Sequence, residues 1–195
     1  SPGIEDRDLS SLHKSMSAAE ILSEDVYEAW KQKVGHGPTE GLGSTEMLHI
    51  YLSNRLDDHR IGAAGARVPG YEVRLETPDG EPARPGEEGV MFVRGHSSTP
   101  MYWNRPDKTR EGYWTDPESG EVWQRMGDIG RVDAEGFVEL VGRAKDMIIS
   151  GGFNIFPVDL EDELAKEPDV VEAAVIGVPS ERWGDNRWAP LLHAG

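Results

Sequence analysis

The chain contains no cysteine among its 195 residues. Disulfides and thiolate metal sites are therefore excluded, and a reducing, cytoplasmic setting is the expectation. Basic residues are scarce: 20 Lys and Arg face 36 Asp and Glu, a net charge of −16. Such a balance argues against a sequence-independent hold on nucleic acid or on an anionic membrane. Any anionic ligand would need local cations or a bridging metal ion. No apolar run approaches the roughly 20 residues of a membrane helix, and no signal peptide is visible. The six histidines, at 13, 36, 49, 59, 96 and 193, show no His-x-x-x-His spacing, and there is no Gly-x-Ser-x-Gly elbow. A metal hydrolase or serine hydrolase reading thus has little behind it.

What is present is enough apolar sequence, 37%, to bury a core in one or two domains. Residues 8 to 55 read as α/β. A short strand ends in Ser17-Ala18-Ala19, and a helix follows from Ser23, with a serine cap, an acidic first turn, and Val26, Ala29 and Trp30 on one face. Thr39 to Met47 reads as a glycine-broken turn. Residues 60 to 141 carry strands at Tyr71–Glu76, Gly89–Gly95 and Gly136–Gly142, with a turn at Asp79-Gly80, and suggest a mostly β subdomain. From Gly142 the pattern is α+β. Ile148 and Ile149, a turn at Gly151-Gly152, and Phe153 and Ile155 form a hairpin with apolar residues to bury. A helix from Pro157 stacks Leu160 on Leu164, and a strand begins near Val170. No closing element is evident after Leu191.

Three short stretches bear on chemistry. In Gly43-Ser44-Thr45-Glu46, a glycine admits close backbone approach, a hydroxyl can bond a phosphate oxygen and a carboxylate can hold a divalent cation; a turn with a helix cap accounts for it equally. In Met126-Gly127-Asp128, one carboxylate can accept both hydroxyls of a ribose; a turn aspartate is the commoner role. Gly142-Arg143-Ala-Lys145-Asp146 is a charged turn that can be a solvated face or a linker.

In this order, and with Met101-Tyr-Trp-Asn-Arg-Pro-Asp-Lys-Thr between them, these motifs resemble the AMP-forming acyl-CoA synthetases of the adenylate-forming superfamily. The resemblance runs from about Leu9 to about Gly184. Ser44-Thr-Glu-Met-Leu-His-Ile and Ile148-Ile-Ser-Gly-Gly-Phe-Asn-Ile look most like the aryl- and acyl-CoA ligase branch that includes benzoate-CoA ligase. It implies the C-terminal part of that fold: the end of an α/β subdomain over 1–58, a β-rich subdomain over 59–142, a hinge at 143–146 and an α+β lid domain over 147–195. It implies, too, a soluble ligase joining a fatty or aromatic carboxylic acid to CoA through an acyl-adenylate, with ATP and Mg²⁺.

Carried over by residue, the resemblance places Ser17, Ala18 and Ala19 against adenine, and Gly43, Ser44 and Thr45 at the AMP phosphate. Glu46 would hold Mg²⁺, Asp128 and Arg143 the ribose, and His49 and Ile50 the wall of the acyl pocket. For His49 a helix or core position is the alternative. Lys145 would be the pivot of the lid and Gly152 would line the CoA pantetheine tunnel. Leu42 stands where the family has an aromatic on adenine, and Met126 where it has threonine. The family's phosphate loop with its lysine would precede residue 1. Its adenylating lysine would follow residue 195, since no lysine comes after Lys166. The chain thus reads as part of a longer enzyme, inactive by itself. Two alternatives stand beside this: an adenylation domain loading a carrier protein, and a non-catalytic nucleotide-binding relative.

Overall fold

The computed structural model describes residues 3–4, 6–19, 22–150, 153–167, 170, 172–180 and 184–193. They divide into two compact units. The first holds residues 1–126 and 130–140, and the second residues 127–129 and 141–195.

The first unit begins with β1 (Met16–Ser17), α1 (Glu24–Val34), β2 (Thr39–Gly43), β3 (Ile50–Ser53), β4 (Ala63–Arg67), β5 (Tyr71–Glu76) and β6 (Glu88–Gly95). After these come α2 (Pro106–Gly112), β7 (Tyr113–Thr115), and most of β8 (Val122–Val132) and β9 (Phe137–Arg143), of which residues 127–129 and 141–143 count with the second unit. One nine-stranded sheet runs β1-β2-β3-β4-β9-β8-β6-β5, with β7 on β8. The mixed α/β character expected from the sequence is borne out.

Strand β6 illustrates why the sheet forms. Met91, Phe92 and Val93 are buried in succession, so the strand is covered on both faces, as a continuous apolar run requires. Its register with β5 is regular from Tyr71↔Gly95 to Glu76↔Val90. The Asp79-Gly80 turn closes through the Gly80 amide on the Thr77 carbonyl, with Gly80 at φ 81°. Met47, Tyr51, Leu52, Leu75, Met91, Val93 and Val138 make one buried cluster. Each such side chain contributes about 1.5–3 kcal/mol against exposure.

Two readings of this region need correction. Thr39–Gly43 is a strand, β2, paired antiparallel with β3, and the turn is confined to residues 44–49. Its glycines serve strand contact: a Cβ on Gly43 would lie 2.5 Å from the His49 carbonyl oxygen. Helix α1 starts as expected, Ser23 Oγ accepting the Val26 amide, but none of its residues is fully buried; Val26 is 57% exposed. Trp30 meets the body of the unit through its indole N–H, which donates to Ser15 Oγ at 3.2 Å.

In the second unit β10 (Ile148–Ser150) and β11 (Phe153–Ile155) form the expected antiparallel hairpin, Ile148 opposite Ile155. Ile148 is buried, whereas Phe153, expected to be covered, is 75% exposed. Helix α3 (Pro157–Leu164) has proline in its first turn, with Asp159. Glu161 accepts the Val175 amide at 2.8 Å and so ties α3 to β12 (Glu172–Ser180). β12 pairs antiparallel with β13 (Gly184–His193), the closing strand that the sequence did not reveal. Among the described residues no helix is long and apolar enough to cross a membrane.

Candidate functional site

In the first unit the expected phosphate-side residues sit on the turn between β2 and β3. Gly43 ends β2 opposite Ile50. Ser44 Oγ then accepts the Met47 amide at 3.1 Å, and the Leu48 amide donates to the Thr45 carbonyl. This is a hydroxyl-capped turn with Leu48 at φ 71°, and no helix follows it. Thr45 and His49 are exposed, Glu46 and Ile50 half-buried. His49 is thus neither helical nor part of the core. β1 pairs parallel with β2, Ser17 opposite Glu40. The chain leaving Ser17, Ala18-Ala19, therefore runs toward the end of the sheet that carries this turn, and Ala19 adopts φ 83°. Leu42 packs against the buried cluster.

Glu46 has a partner that the sequence did not reveal. Tyr102 Oη donates to its Oε1 at 2.9 Å. Burial, and next the bond to Glu46, push the Tyr102 hydroxyl up to about 12, so it stays a proton donor. Nothing in the spacing of Met101-Tyr-Trp points from residue 102 to residue 46; only the fold joins them.

Among the described residues no three His, Asp or Glu side chains gather to hold a metal ion. Glu46 is a lone carboxylate. That fits Mg²⁺ in the mode where one or two carboxylates share it with phosphate oxygens and water, and does not fit an all-protein cage.

The second unit contains the other pair. Asp128 lies on β8 and Arg143 ends β9, and the Ala144 amide donates to the Gly127 carbonyl at 2.9 Å. Arg143 Nε stands 3.2 Å from Asp128 Oδ1. The carboxylate is buried, while the Arg143 side chain is 57% exposed. Burial raises the Asp128 carboxyl above its ordinary range, and the nearby guanidinium opposes that only in part. A desolvated acceptor beside an exposed cation suits a neutral polyol attached to an anion.

Past Arg143 the chain turns, the Asp146 and Met147 amides both donating to the Arg143 carbonyl. Lys145 is in the middle of this turn, 74% exposed, its Nζ 4.0 Å from Asp146. Gly142, Arg143, Lys145, Phe156 and Val175 are among the residues around a cavity of about 520 Å³. Gly142 is required there, since a Cβ would come within 2.9 Å of the Phe156 ring. Gly152, expected at the pantetheine tunnel, lies outside the described residues.

A family model described as AMP-binding enzyme matches residues 2–103. Benzoate–CoA ligase of Thauera aromatica is 42% identical over 171 residues, 87% of this chain and 31% of that protein. A long-chain-fatty-acid–CoA ligase of Escherichia coli O157:H7 is 38% identical over 179 residues, 91% of this chain and 31% of that one. Among solved structures, an anthranilate CoA ligase in complex with anthranoyl-AMP matches with a TM-score of 0.79 and 34% identity, covering 98% of this chain and 36% of that chain. The chain spans about a third of the length of the curated relatives it matches. The family match covers more than half of its residues, and its fold and motifs agree with it: the chain belongs to the AMP-binding enzyme family.

Proposed function

We propose that this chain is part of an AMP-forming carboxylate–CoA ligase, acting on an aromatic or fatty acid. In the first half-reaction the acid's oxygen attacks the α-phosphorus of ATP, the bond to pyrophosphate breaks, and an acyl-adenylate forms. In the second, the CoA thiol attacks the acyl carbon and AMP leaves. A carboxylate is a poor electrophile, so the adenylate supplies the leaving group; the protein contributes positioning and charge stabilisation.

The observation that carries this reading is the Asp128–Arg143 pair at 3.2 Å. Asp128 accepts the two ribose hydroxyls, which a carboxylate with two oxygens can do at once. Arg143 steadies that carboxylate and reaches the sugar. Thr45 donates to the AMP phosphate and Gly43-Ser44 shape its loop. Ser17, Ala18 and Ala19 leave room for the adenine, and His49 and Ile50 face the acyl group. Glu46 would hold Mg²⁺, which when bound shields the phosphate charge. Lys145 is the pivot about which residues 147–195 move between half-reactions, and Gly152 admits the pantetheine arm.

The test uses the full-length protein. ATP–pyrophosphate exchange should require a carboxylic acid, and added CoA should yield an acyl thioester and AMP. Asp128→Asn should lower AMP affinity roughly tenfold to a hundredfold, the loss of hydrogen bonds to a charged acceptor. Exchange that ignores the acid, or AMP binding that ignores residue 128, overturns the proposal.

A further inference from the structure

We propose that Tyr102 is a positioning residue for Glu46, fixing the carboxylate in the orientation from which it can share a divalent cation with the nucleotide phosphates. The inference rests on the role given to Glu46 above. A glutamate side chain has three rotatable bonds, and a half-buried one on a turn has by itself no reason to hold one direction. Here one of its oxygens is taken by the Tyr102 hydroxyl at 2.9 Å, a neutral donor that leaves the negative charge in place.

Tyr102 is itself held from several sides. Its amide donates to Thr109 Oγ1 at 3.0 Å, and its carbonyl accepts the Arg105 amide at 3.1 Å. The ring passes over Gly112, where a Cβ would lie 3.0 Å from Tyr102 Cε2. Gln124, almost wholly buried, stands by the Tyr102 hydroxyl and accepts the Ser98 hydroxyl at 3.2 Å. The stretch preceding α2 thus aims one phenol at one carboxylate.

The backbone of the turn has separate supports. The Thr99 amide donates to the Glu46 carbonyl at 2.8 Å, and Ser97 Oγ to the Met47 carbonyl at 2.7 Å. Losing the phenol oxygen therefore leaves the turn in place and frees only the carboxylate. Positioning and folding can be separated by experiment.

The experiment measures Mn²⁺, a paramagnetic stand-in for Mg²⁺, binding to the full-length protein saturated with α,β-methylene-ATP. Electron paramagnetic resonance gives the Mn²⁺ affinity, and calorimetry gives nucleotide affinity without metal. Tyr102→Phe should weaken Mn²⁺ roughly tenfold and leave metal-free nucleotide affinity unchanged. In a Glu46→Gln background the same substitution should do nothing more. Mn²⁺ affinity within about twofold of wild type, or an equal loss in both backgrounds, overturns the proposal. Wild-type protein with no nucleotide-dependent Mn²⁺ site, or Glu46→Gln that binds Mn²⁺ as tightly as wild type, overturns the role of Glu46 itself and is distinguished by that. If Tyr102→Phe fails to fold, Gly112→Ala, whose Cβ would press on the ring at 3.0 Å, decides: a weaker Mn²⁺ affinity supports the proposal and an unchanged one ends it.

Discussion

At the scale of single residues, the role proposed for Asp128 ties ligand binding to pH. Its carboxyl is raised by burial, more than Arg143 lowers it. Between the ordinary carboxylate range and the raised folded value, the folded chain binds more protons than the unfolded one. By linkage, this residue's contribution to stability is full below the unfolded pKa and falls as pH rises through the folded pKa. A ribose whose hydroxyls donate to Asp128 favours the ionised form, so AMP affinity should move the other way and climb over that window. Calorimetric titration of AMP from about pH 4 to pH 7 should show the climb, with proton release on binding at its lower end. Asp128→Asn should bind weakly and with no slope. A wild-type affinity flat across the range would mean the ribose does not meet this carboxylate.

At the scale of elements, the glycines of β2 decide a second outcome. Adding a Cβ to Gly43 would put it 2.5 Å from the His49 carbonyl oxygen and 2.8 Å from Ile50 Cα, backbone that cannot swing aside. Gly43→Ala should cost about 1–3 kcal/mol, the usual penalty of overpacking. Denaturant unfolding should register it as a lower midpoint at unchanged slope. Gly80→Ala, where nothing lies within 4 Å but φ is 81°, should cost less, since only backbone strain is involved.

The same glycines explain what could and could not be read from the sequence. Elements with an intact local signal were legible: α1 from its serine cap, α3 from its proline and acidic first turn, β5 from its alternation, the β10–β11 hairpin from its apolar flanks. Gly41 and Gly43 imitate a turn, although close approach of β3 is what demands them. In β8 the alternation is broken. Trp123 and Gln124 are buried in succession, as are Asp128 and Ile129, and Gly127 adopts φ 77° between the two pairs. A reader looking for a period of two finds none, and sees a Gly-Asp turn within an eleven-residue strand. Among site residues, Asp128 and Arg143 are fifteen positions apart and were matched through the family resemblance. Tyr102 and Glu46 are separated by fifty-six, and no local rule spans that distance.

For the molecule as a whole, the turn at Lys145 is where a change of one residue should separate two half-reactions. The turn is closed by the amides of Asp146 and Met147 on the Arg143 carbonyl, and the Ala144 amide holds it to Gly127. Lys145 is highly exposed and, among the described residues, has just a loose ion pair with the adjacent Asp146, so its side chain has little to lose on substitution. Lys145→Pro instead acts through the backbone. It fixes φ near −65° at residue 145 and biases Ala144 toward extended conformations. If residues 147–195 must pivot here between adenylation and thioester formation, a locked residue 145 stalls the pivot in one pose. In the full-length protein, acid-dependent ATP–pyrophosphate exchange should then persist near its wild-type rate, while CoA-dependent AMP release falls roughly a hundredfold, as a blocked conformational step does. Lys145→Ala, which removes the charge and keeps the freedom, should leave both rates close to wild type. Equal loss of the two half-reactions in the proline variant, or a matching loss in the alanine variant, would place the pivot elsewhere in the chain.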